Sequence, residues 1–590
     1  MAIKTWTGVY GGDWSDPTGW SGSTVPGAGD TVQLSQVLNG PYTVHLDASE
    51  GAYAALSISA ANATLALYSG GLTLSVSGAT TLSAGDIAIA GNAALDTGTF
   101  TESGGFLGMS DGTLAVSGQT TLSGGGLGVY GGTLQIGSLA FAGGSFGISG
   151  GHVTVTNQVT ETAGTAGFYG GTFNAGSLAI SGGSLGMSGG TLAASSALTL
   201  SGTGSIGIYN TAATLQAGSL TQTGGSLGMS GGTLALAGQA SFTGGTDLFY
   251  GGSTVNAGSL QVGSSGGPAQ TLTVSGGVVT VSGTASIAAG STLSMYGGSF
   301  STQGGTTVAG TIRGAGTVGG PIGGSGGILS AEHGTLDLTG TVSSGLTFQI
   351  ASYGDLKIDG TATTAHSFGM GDVNQVLEIG PSGSLTITVQ ESDTGGTIKL
   401  EGGTLTDAQG FVTGSYTTIA GFGTINGTEY GLHYGRGATI HATGGTLTLN
   451  GDIYSGNKPD IAAGATFNLL GAAQIDPLSF PGSVAKFTFL SGDSGTLRLG
   501  TATARQSFET NGVVIDNMNV STTGAPTNIL DLDDVQPGSM TSAIVANGNT
   551  IELFNGATMT DHFALANSVG TAAVHWASDG GSGTNIFLSV

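Results

Sequence analysis

The amino-acid sequence predicts an all-β protein, a parallel β-solenoid whose coils each take about twenty residues. A hexapeptide of the type Leu-Gly-Met-Ser-Gly-Gly returns eight times between residues 107 and 252, in steps of 19 to 21 residues. Glycine makes up 117 of the 590 residues, and such a frequency argues against helices because each interior glycine costs about 1 kcal/mol. The eight copies begin at Leu107, Leu127, Phe146, Ala166, Leu185, Ile206, Leu227 and Asp247.

One repeat, residues 127–144, shows how a coil is built. Apolar side chains come in pairs two residues apart, which places both members of a pair on one face of a short strand. Glycines separate the pairs and supply the positive φ angles that tight corners need. We therefore expect three short strands per coil, inward-facing pairs, a right-handed winding and about 29 coils over the whole chain. The pairs are Leu127 and Val129, Leu134 and Ile136, and Leu139 and Phe141.

A second period of about forty residues overlies the first. The residue before the glycine corner alternates between serine and tyrosine, so tyrosine returns on every second coil, roughly 9.6 Å apart along a parallel ladder. These tyrosines follow an inward-facing residue and should point outward or sit in the corner. They could form a stabilising aromatic ladder, a surface that stacks on sugars, or a seam against another copy. The candidates are Tyr130, Tyr169, Tyr209, Tyr250 and Tyr296.

Composition excludes several classes of function. The net charge is −25, and no Lys or Arg lies between Lys4 and Arg313, so an electrostatic footprint for nucleic acid is missing over half the chain. The chain has no cysteine, which excludes disulfide and thiolate chemistry. No stretch offers the ~20 apolar residues of a membrane-spanning helix, so we expect no membrane insertion.

Residues 1–60 hold three of the four tryptophans, Trp6, Trp14 and Trp20, which we expect to cap the first coils. The opening pattern GDWSDPTGWS…VPGAGDTVQL is followed by glycine-rich β repeats. Together they resemble the β-strand-repeat surface proteins of Gram-negative bacteria, of the autotransporter-passenger-like or haemagglutinin-like kind. This resemblance implies export and a structural or adhesive role outside the cell or on its surface.

Three further segments follow. Residues 61–310 form the regular solenoid with its 20- and 40-residue repeats. In residues 311–500 the repeat pattern changes. The segment GAGTVGGPI is followed about 110 residues later by the similar segment GFGTINGTE, which predicts a degenerate solenoid with a longer repeat unit. Residues 501–590 are more acidic and less periodic, and we expect a C-terminal β region for assembly or secretion. Trp576 lies there in an alternating strand and is a fourth end-cap or assembly candidate.

The two ends of the chain bear on export and assembly. The start, MAIKTWTGVYGG, lacks the apolar segment of a Sec signal, and the chain does not continue into a translocator barrel. We therefore expect export in one step without an N-terminal Sec signal. The sequence shows no amphipathic capping helix, which predicts an unpaired ladder at one or both coil ends, open to another chain.

Catalysis is not predicted. Enzymes that cleave polysaccharides use paired acids or a carboxylate cluster with a basic residue, whereas residues 5–312 contain eleven acids and no Lys or Arg, and the acids do not recur at coil spacing. Calcium is the one cofactor considered, because loop carboxylates are the ligands it accepts; solvated acidic turns are the alternative. The carboxylates concerned are Asp531, Asp533, Asp534 and Asp579.

The leading hypothesis is an extracellular structural protein that self-assembles head-to-tail or laterally into a fibre, matrix or surface layer. Nearly the whole chain is scaffold, and few charges oppose close packing of its regular half. Its main partner would then be itself. The alternatives are an adhesin stalk that binds a cell-surface or matrix polysaccharide or a host surface and, less favoured, an enzyme that cleaves polysaccharides.

Overall fold

The computed structural model describes residues 2–37, 40–431, 437–475, 485–490 and 494–590. It confirms an all-β protein built as a parallel β-solenoid of about 22 turns with coils of about 20 residues. The expected 29 coils were too many, because caps, long loops and terminal hairpins take up residues outside the coils. The hand of the winding stays a prediction. The chain divides into two compact units, Met1–Gly304 and Gly305–Val590, and the boundaries at 60, 310 and 500 stay predictions.

In the first unit each strand segment of a coil pairs in parallel with the matching segment of the next coil, which gives three parallel ladders. Leu134 pairs with Leu114, Phe141 with Leu122, and Phe146 with Leu127 on the preceding coil. All of these side chains are buried, and each buried leucine contributes about 2 kcal/mol. Strands β1 to β25 are, in chain order, Ile3–Thr5, Gly12–Asp13, Thr31–Leu34, Tyr42–His45, Glu50–Ile58, Ala63–Leu67, Thr73–Leu82, Asp86–Ile89, Ala94–Met109, Thr113–Val129, Thr133–Ile148, His152–Phe168, Thr172–Ile180, Ser184–Met187, Thr191–Leu200, Ser205–Ile208, Thr214–Met229, Thr233–Leu236, Gln239–Tyr250, Thr254–Ala257, Ser259–Val262, Thr271–Ser275, Val278–Val281, Ala285–Ile287 and Thr292–Thr302.

The corners need glycine for two reasons that Gly144 illustrates. Its φ angle is +76°, in the left-handed region that other residues avoid. A Cβ added there would also lie 2.6 Å from the carbonyl oxygen of Gly125 in the preceding coil. Corners that stack this closely explain why the strands on either side run almost continuously, as in Thr133–Ile148.

The second unit is also built of parallel ladders, with more irregular loops. Glu391–Asp407 pairs along most of its length with Phe411–Asn426. Strands β26 to β53 are Thr306–Val308, Thr311–Gly319, Ile322–Gly323, Ile328–Leu338, Thr341–Val342, Thr347–Ile350, Gly354–Ile358, Thr361–Thr364, Val376–Ile379, Ser384–Ile387, Glu391–Asp407, Phe411–Asn426, Glu429–Gly431, Thr439–Asn450, Ile453–Tyr454, Lys458–Ile461, Thr466–Leu469, Ala473–Gln474, Lys486–Phe489, Thr496–Leu499, Val514–Asp516, Val520–Ser521, Ile529–Leu532, Ser542–Ala546, Thr550–Asn555, Thr558–Leu565, Ala573–Ser578 and Thr584–Ser589; α1 is Ala502–Thr510, and short 3₁₀ turns lie at Pro17–Gly19 and Pro537–Ser539.

A tryptophan cluster lies at the start of the first unit. Trp6, Trp14 and Trp20 are all at most 1% exposed, and Trp20 packs edge-on against the other two at 5.0 and 4.9 Å between ring centroids. The Trp20 indole N–H donates to the carbonyl of Trp14 at 2.7 Å, and that of Trp14 donates to the Tyr53 hydroxyl at 3.2 Å. These rings fill the interior at the first coils. Trp576, by contrast, is half-buried on β52 of the second unit, opposite Ile586.

The expectation that the chain has no capping helix was wrong. Helix α1 covers the end of one ladder: the Ser507 hydroxyl accepts from the Ala473 N–H at 2.9 Å, and Phe508 packs on Phe487 and Phe563. This helix is difficult to predict because its sequence, ATARQSFET, is short and polar and only three of its residues are buried. The other two ladders turn into antiparallel strands, β49–β50–β51 and β48–β53–β52. The last coil is therefore closed by helix and hairpins.

Candidate functional site

The five candidate tyrosines lie in one column of the first unit, which we call the tyrosine stripe. From Tyr130 to Tyr296, tyrosine and serine alternate over nine consecutive rungs. The rings point outward, with exposed fractions from 46% at Tyr250 to 68% at Tyr169. Their backbones are held in the ladder: the Tyr130 N–H donates to Met109 and the Tyr169 N–H to Ile148, both at 2.8 Å. The serines between them are Ser149, Ser188, Ser230 and Ser275.

A column of glycines runs beside the stripe on the same outward face. Each of these glycines stands two residues before a serine or tyrosine of the stripe's column on its own strand, so both residues lie on the outer face of the sheet. A Cβ added at Gly128 would lie 3.0 Å from Cε2 of Tyr130, and one at Gly167 would lie 3.1 Å from Cε2 of Tyr169. The rings of Tyr130, Tyr169 and Tyr209 therefore lie back along their strands over bare backbone. Tyr250 and Tyr296 have Leu248 and Ser294 at the corresponding positions. The column spans seven consecutive rungs: Gly108, Gly128, Gly147, Gly167, Gly186, Gly207 and Gly228.

Stripe and glycine column together form a shallow groove of about 370 Å³. Phe106 closes its start, and its ring lies against Gly108, Gly126 and Gly128. All groups that line the groove are apolar, hydroxyl-bearing or backbone, and none carries a charge. The face can therefore stack on or exclude water from a neutral surface, but it cannot pair with an ion.

A third column, on the strands that follow the glycine corner, carries amides and was not predicted. Exposed Gln or Asn returns on every second rung, with Thr or Ala between. The amides belong to the coils that carry a stripe tyrosine, because those coils continue from the corner into TLQ, TFN or TVN. That signal was visible in the sequence. The amides are Gln135, Asn174, Gln216 and Asn256.

Three carboxyl groups lie inside the core of the first unit. Glu102, Glu161 and Asp247 are at most 3% exposed. Glu102 accepts one hydrogen bond, from the Gly126 N–H at 2.6 Å, and its other oxygen has no partner. Burial raises the pKa of Glu102 to about 8 and the pKa values of Glu161 and Asp247 to about 7. Neither glutamate was predicted to be buried, although each is an acid at a position where other coils place Leu, Ile or Phe before the corner.

Three of the four calcium candidates come together in the second unit. Carboxylate oxygens of Asp531, Asp533 and Asp579 lie within 4.8 Å of one another. The Arg498 guanidinium, however, donates to both oxygens of Asp533 at 2.6 and 2.7 Å, and burial raises the pKa of Asp531 to about 6 although Arg498 opposes this. The hard oxygens suit calcium, yet Arg498 already supplies positive charge there, so calcium binding stays a prediction.

The fourth calcium candidate, Asp534, lies outside this cluster. Both of its carboxylate oxygens accept hydrogen bonds from Arg505, at 2.9 to 3.1 Å. A second arginine thus holds this carboxylate, and Asp534 is not placed to share a cation with the other three.

The grooves and ion pairs bear on catalysis. A larger groove of about 800 Å³ in the first unit contains one ionisable side chain, Asp96, in its lining. In the second unit, charges alternate on successive rungs: Lys357 and Lys399 lie on either side of Glu378, with their Nζ atoms 3.1 and 3.0 Å from its carboxylate. These lysines are engaged in a charged ladder that stabilises the stack. The absence of catalysis stays a prediction.

No protein-family model, no curated protein and no solved structure matches this chain. Of what the resemblance to bacterial β-strand-repeat surface proteins implies, the β-solenoid fold is confirmed, and the family assignment stays a prediction. Among the described residues, no helix has the length and apolar character needed to span a bilayer.

Proposed function

We propose that the protein is an extracellular structural protein whose solenoids pack side by side in a fibre, matrix or surface layer. One observation carries the proposal. Between residues 112 and 304 the only acidic residues are Glu161 and Asp247, both buried, and there is no Lys or Arg. The outer surface of these coils therefore carries no carboxylate, ammonium or guanidinium group, and its one imidazole is that of His152, in a protein with a net charge of −25.

Such a surface favours contact between solenoids. Charged groups oppose close packing because they must be desolvated, and like charges repel. Here both costs are small over residues 112–304, whereas the exposed acids Asp86, Asp96 and Asp111 lie before this stretch. Head-to-tail growth has less support, because α1 and the antiparallel strands close the last coil. Lateral packing is therefore the form of assembly we propose.

The experiment introduces charge on this surface. Thr154 and Thr199 are exposed and lie in the middle of the uncharged coils. In the double variant Thr154→Lys/Thr199→Lys, assemblies seen by negative-stain electron microscopy and light scattering should shrink to single chains at low salt. The matched control, Thr154→Gln/Thr199→Gln, adds length without charge and should assemble like the unaltered protein.

Two results would contradict the proposal. The unaltered protein could remain a single chain under all concentrations and salt conditions, or the lysine variant could assemble as well as the glutamine control. The adhesin hypothesis would then lead, since it needs no contact between copies.

A further inference from the structure

Three rings of the tyrosine stripe lie flat against the sheet and do not project from it. In three coils the far edge of the ring fills the space where the glycine two residues earlier would carry a Cβ. Tyr130, Tyr169 and Tyr209 nevertheless stay 59%, 68% and 62% exposed. One side of each ring thus rests on bare backbone and the other is open to solvent, which makes the ring a platform for stacking.

The geometry weakens the alternative of a seam between two copies. Interdigitation would need rings that project from the sheet, so that one copy's ring could enter the gap above a serine of the other. Rings that lie back along their own strands do not project in this way. A thin, flat ligand that stacks on the rings and lies over the glycine column fits the groove better.

The spacing sets the repeat that such a ligand must have. Tyrosines return on every second rung, roughly 9.6 Å apart, and the three whose rings lie over glycine extend over about 19 Å. In an extended β-linked polysaccharide each sugar is turned over relative to the last, so equivalent ring faces return every second sugar. A two-sugar repeat is comparable in length to two rungs of the ladder.

The polar groups in the groove fit the same ligand. Hydroxyl groups of Ser145, Thr165 and Ser184 line it, and they donate and accept hydrogen bonds, as sugar hydroxyls do. The amide column follows the glycine corner and does not line this groove. The face carries no acidic or basic side chain, and the net charge of −25 would repel an acidic polysaccharide. The ligand should therefore be uncharged.

We propose that the tyrosine stripe binds an uncharged, extended β-linked polysaccharide of the cellulose or chitin type, laid along the direction in which the coils stack. This inference goes beyond the proposed function, because it concerns a glycan partner and not contact between copies. It gives the stripe a role that lateral packing alone would not require.

The test measures depletion of the full-length protein from solution by cellulose and by chitin, with polygalacturonate as the acidic control. The unaltered protein should bind at least one uncharged polymer, equally at low and high salt, because no ion pair takes part. Tyr169→Ala/Tyr209→Ala should weaken binding at least about tenfold, since it removes two adjacent platforms. Tyr169→Phe/Tyr209→Phe keeps the rings and should stay within about twofold.

Controls separate the stripe from exposed tyrosine in general. Tyr10 and Tyr416 are 93% and 72% exposed and lie outside the stripe. Tyr10→Ala/Tyr416→Ala should bind like the unaltered protein. Circular dichroism checks that each variant is folded.

Several outcomes would overturn the inference. They are failure of the unaltered protein to bind either uncharged polymer, equal binding by the stripe and control alanine variants, or binding that salt abolishes. A loss of assembly in the stripe alanine variant without any glycan binding would instead identify the stripe as a seam between copies. The lysine variant at Thr154 and Thr199 leaves the stripe intact and should still bind glycan, so the two proposals can fail separately.

Discussion

The three carboxyl groups buried in the first unit lie in an apolar core without a Lys or Arg to neutralise them. An ionised carboxylate inside an apolar core is costly unless a cation neutralises it, and the sequence has no Lys or Arg between residues 4 and 313. Glu102, Glu161 and Asp247 therefore keep their protons to unusually high pH. Gln222 occupies the column of the two glutamates and shows that a neutral amide fits there.

The raised pKa of Glu102 predicts that the first unit loses stability as pH rises. Below the ordinary value of 4.5 the carboxyl is protonated in both the folded and unfolded chains. Between 4.5 and about 8 the unfolded chain releases the proton and the folded one keeps it, so the free energy of unfolding falls by up to about 1.4 kcal/mol per pH unit. Glu102→Gln should flatten this slope and be more stable than the unaltered protein near neutral pH. Denaturant unfolding at about pH 5 and about pH 8 measures both effects.

The reciprocal change provides the control. Gln222→Glu adds a third carboxyl to the column of the two glutamates, and a fourth buried one to the first unit, and should steepen the loss of stability with pH. A Glu102→Gln variant with an unchanged slope would mean that water reaches this carboxyl in the folded protein.

At the level of elements, the position of each stripe ring depends on the residue that lies two positions before it in the same strand. Gly147 and Gly167 occupy the same column on neighbouring rungs, one in a serine coil and one in a tyrosine coil. A Cβ at Gly147 meets nothing within 4 Å, whereas one at Gly167 meets the Tyr169 ring at 3.1 Å. Identical backbone positions thus differ only in the ring above them.

This pair yields a matched prediction. Gly147→Ala should stabilise the first unit by about 0.5 kcal/mol, because alanine loses less backbone entropy than glycine in a strand. In Gly167→Ala that gain should be offset by displacement of the Tyr169 ring. Thermal unfolding compares the two variants, and tyrosine fluorescence reports on the ring. Equal gains in stability with unchanged fluorescence would show that the ring does not rest on Gly167.

The elements also show where reasoning from sequence succeeded and why it stopped. Alternating apolar pairs and glycine corners predicted the parallel coils, because in a solenoid each local pattern repeats and every copy adds evidence. The register of Tyr296 with Tyr250 survives an inserted loop, at residues 263–270, that no fixed period anticipates. Helix α1 could not be predicted, since its nine residues have no strong apolar face. Clustering of Asp531 with Asp579 depends on an antiparallel pairing that sequence does not reveal.

For the whole molecule, the distribution of Lys and Arg allows most of the first unit to be isolated by proteolysis. Trypsin cleaves after Lys and Arg, so residues 5–313 should remain one fragment after complete digestion of the denatured chain. After refolding, the fragment should regain a β-sheet spectrum, because each coil packs only on its neighbours. The fragment and the full-length protein should both resist chymotrypsin despite the exposed tyrosines, because these tyrosines lie in paired strands. Rapid cleavage at the stripe tyrosines would mean that the coils do not hold together without the rest of the chain.

The alternation of tyrosine and serine restricts how this protein can change in length during evolution. Unequal recombination between repeats that gains or loses two coils, about 40 residues, keeps the alternation in phase and merely lengthens or shortens the stripe. Gain or loss of one coil would place two tyrosines or two serines on adjacent rungs. A glycan-binding stripe therefore predicts that homologous genes differ in this segment by multiples of the two-coil unit, whereas a purely structural stack would tolerate single coils equally well.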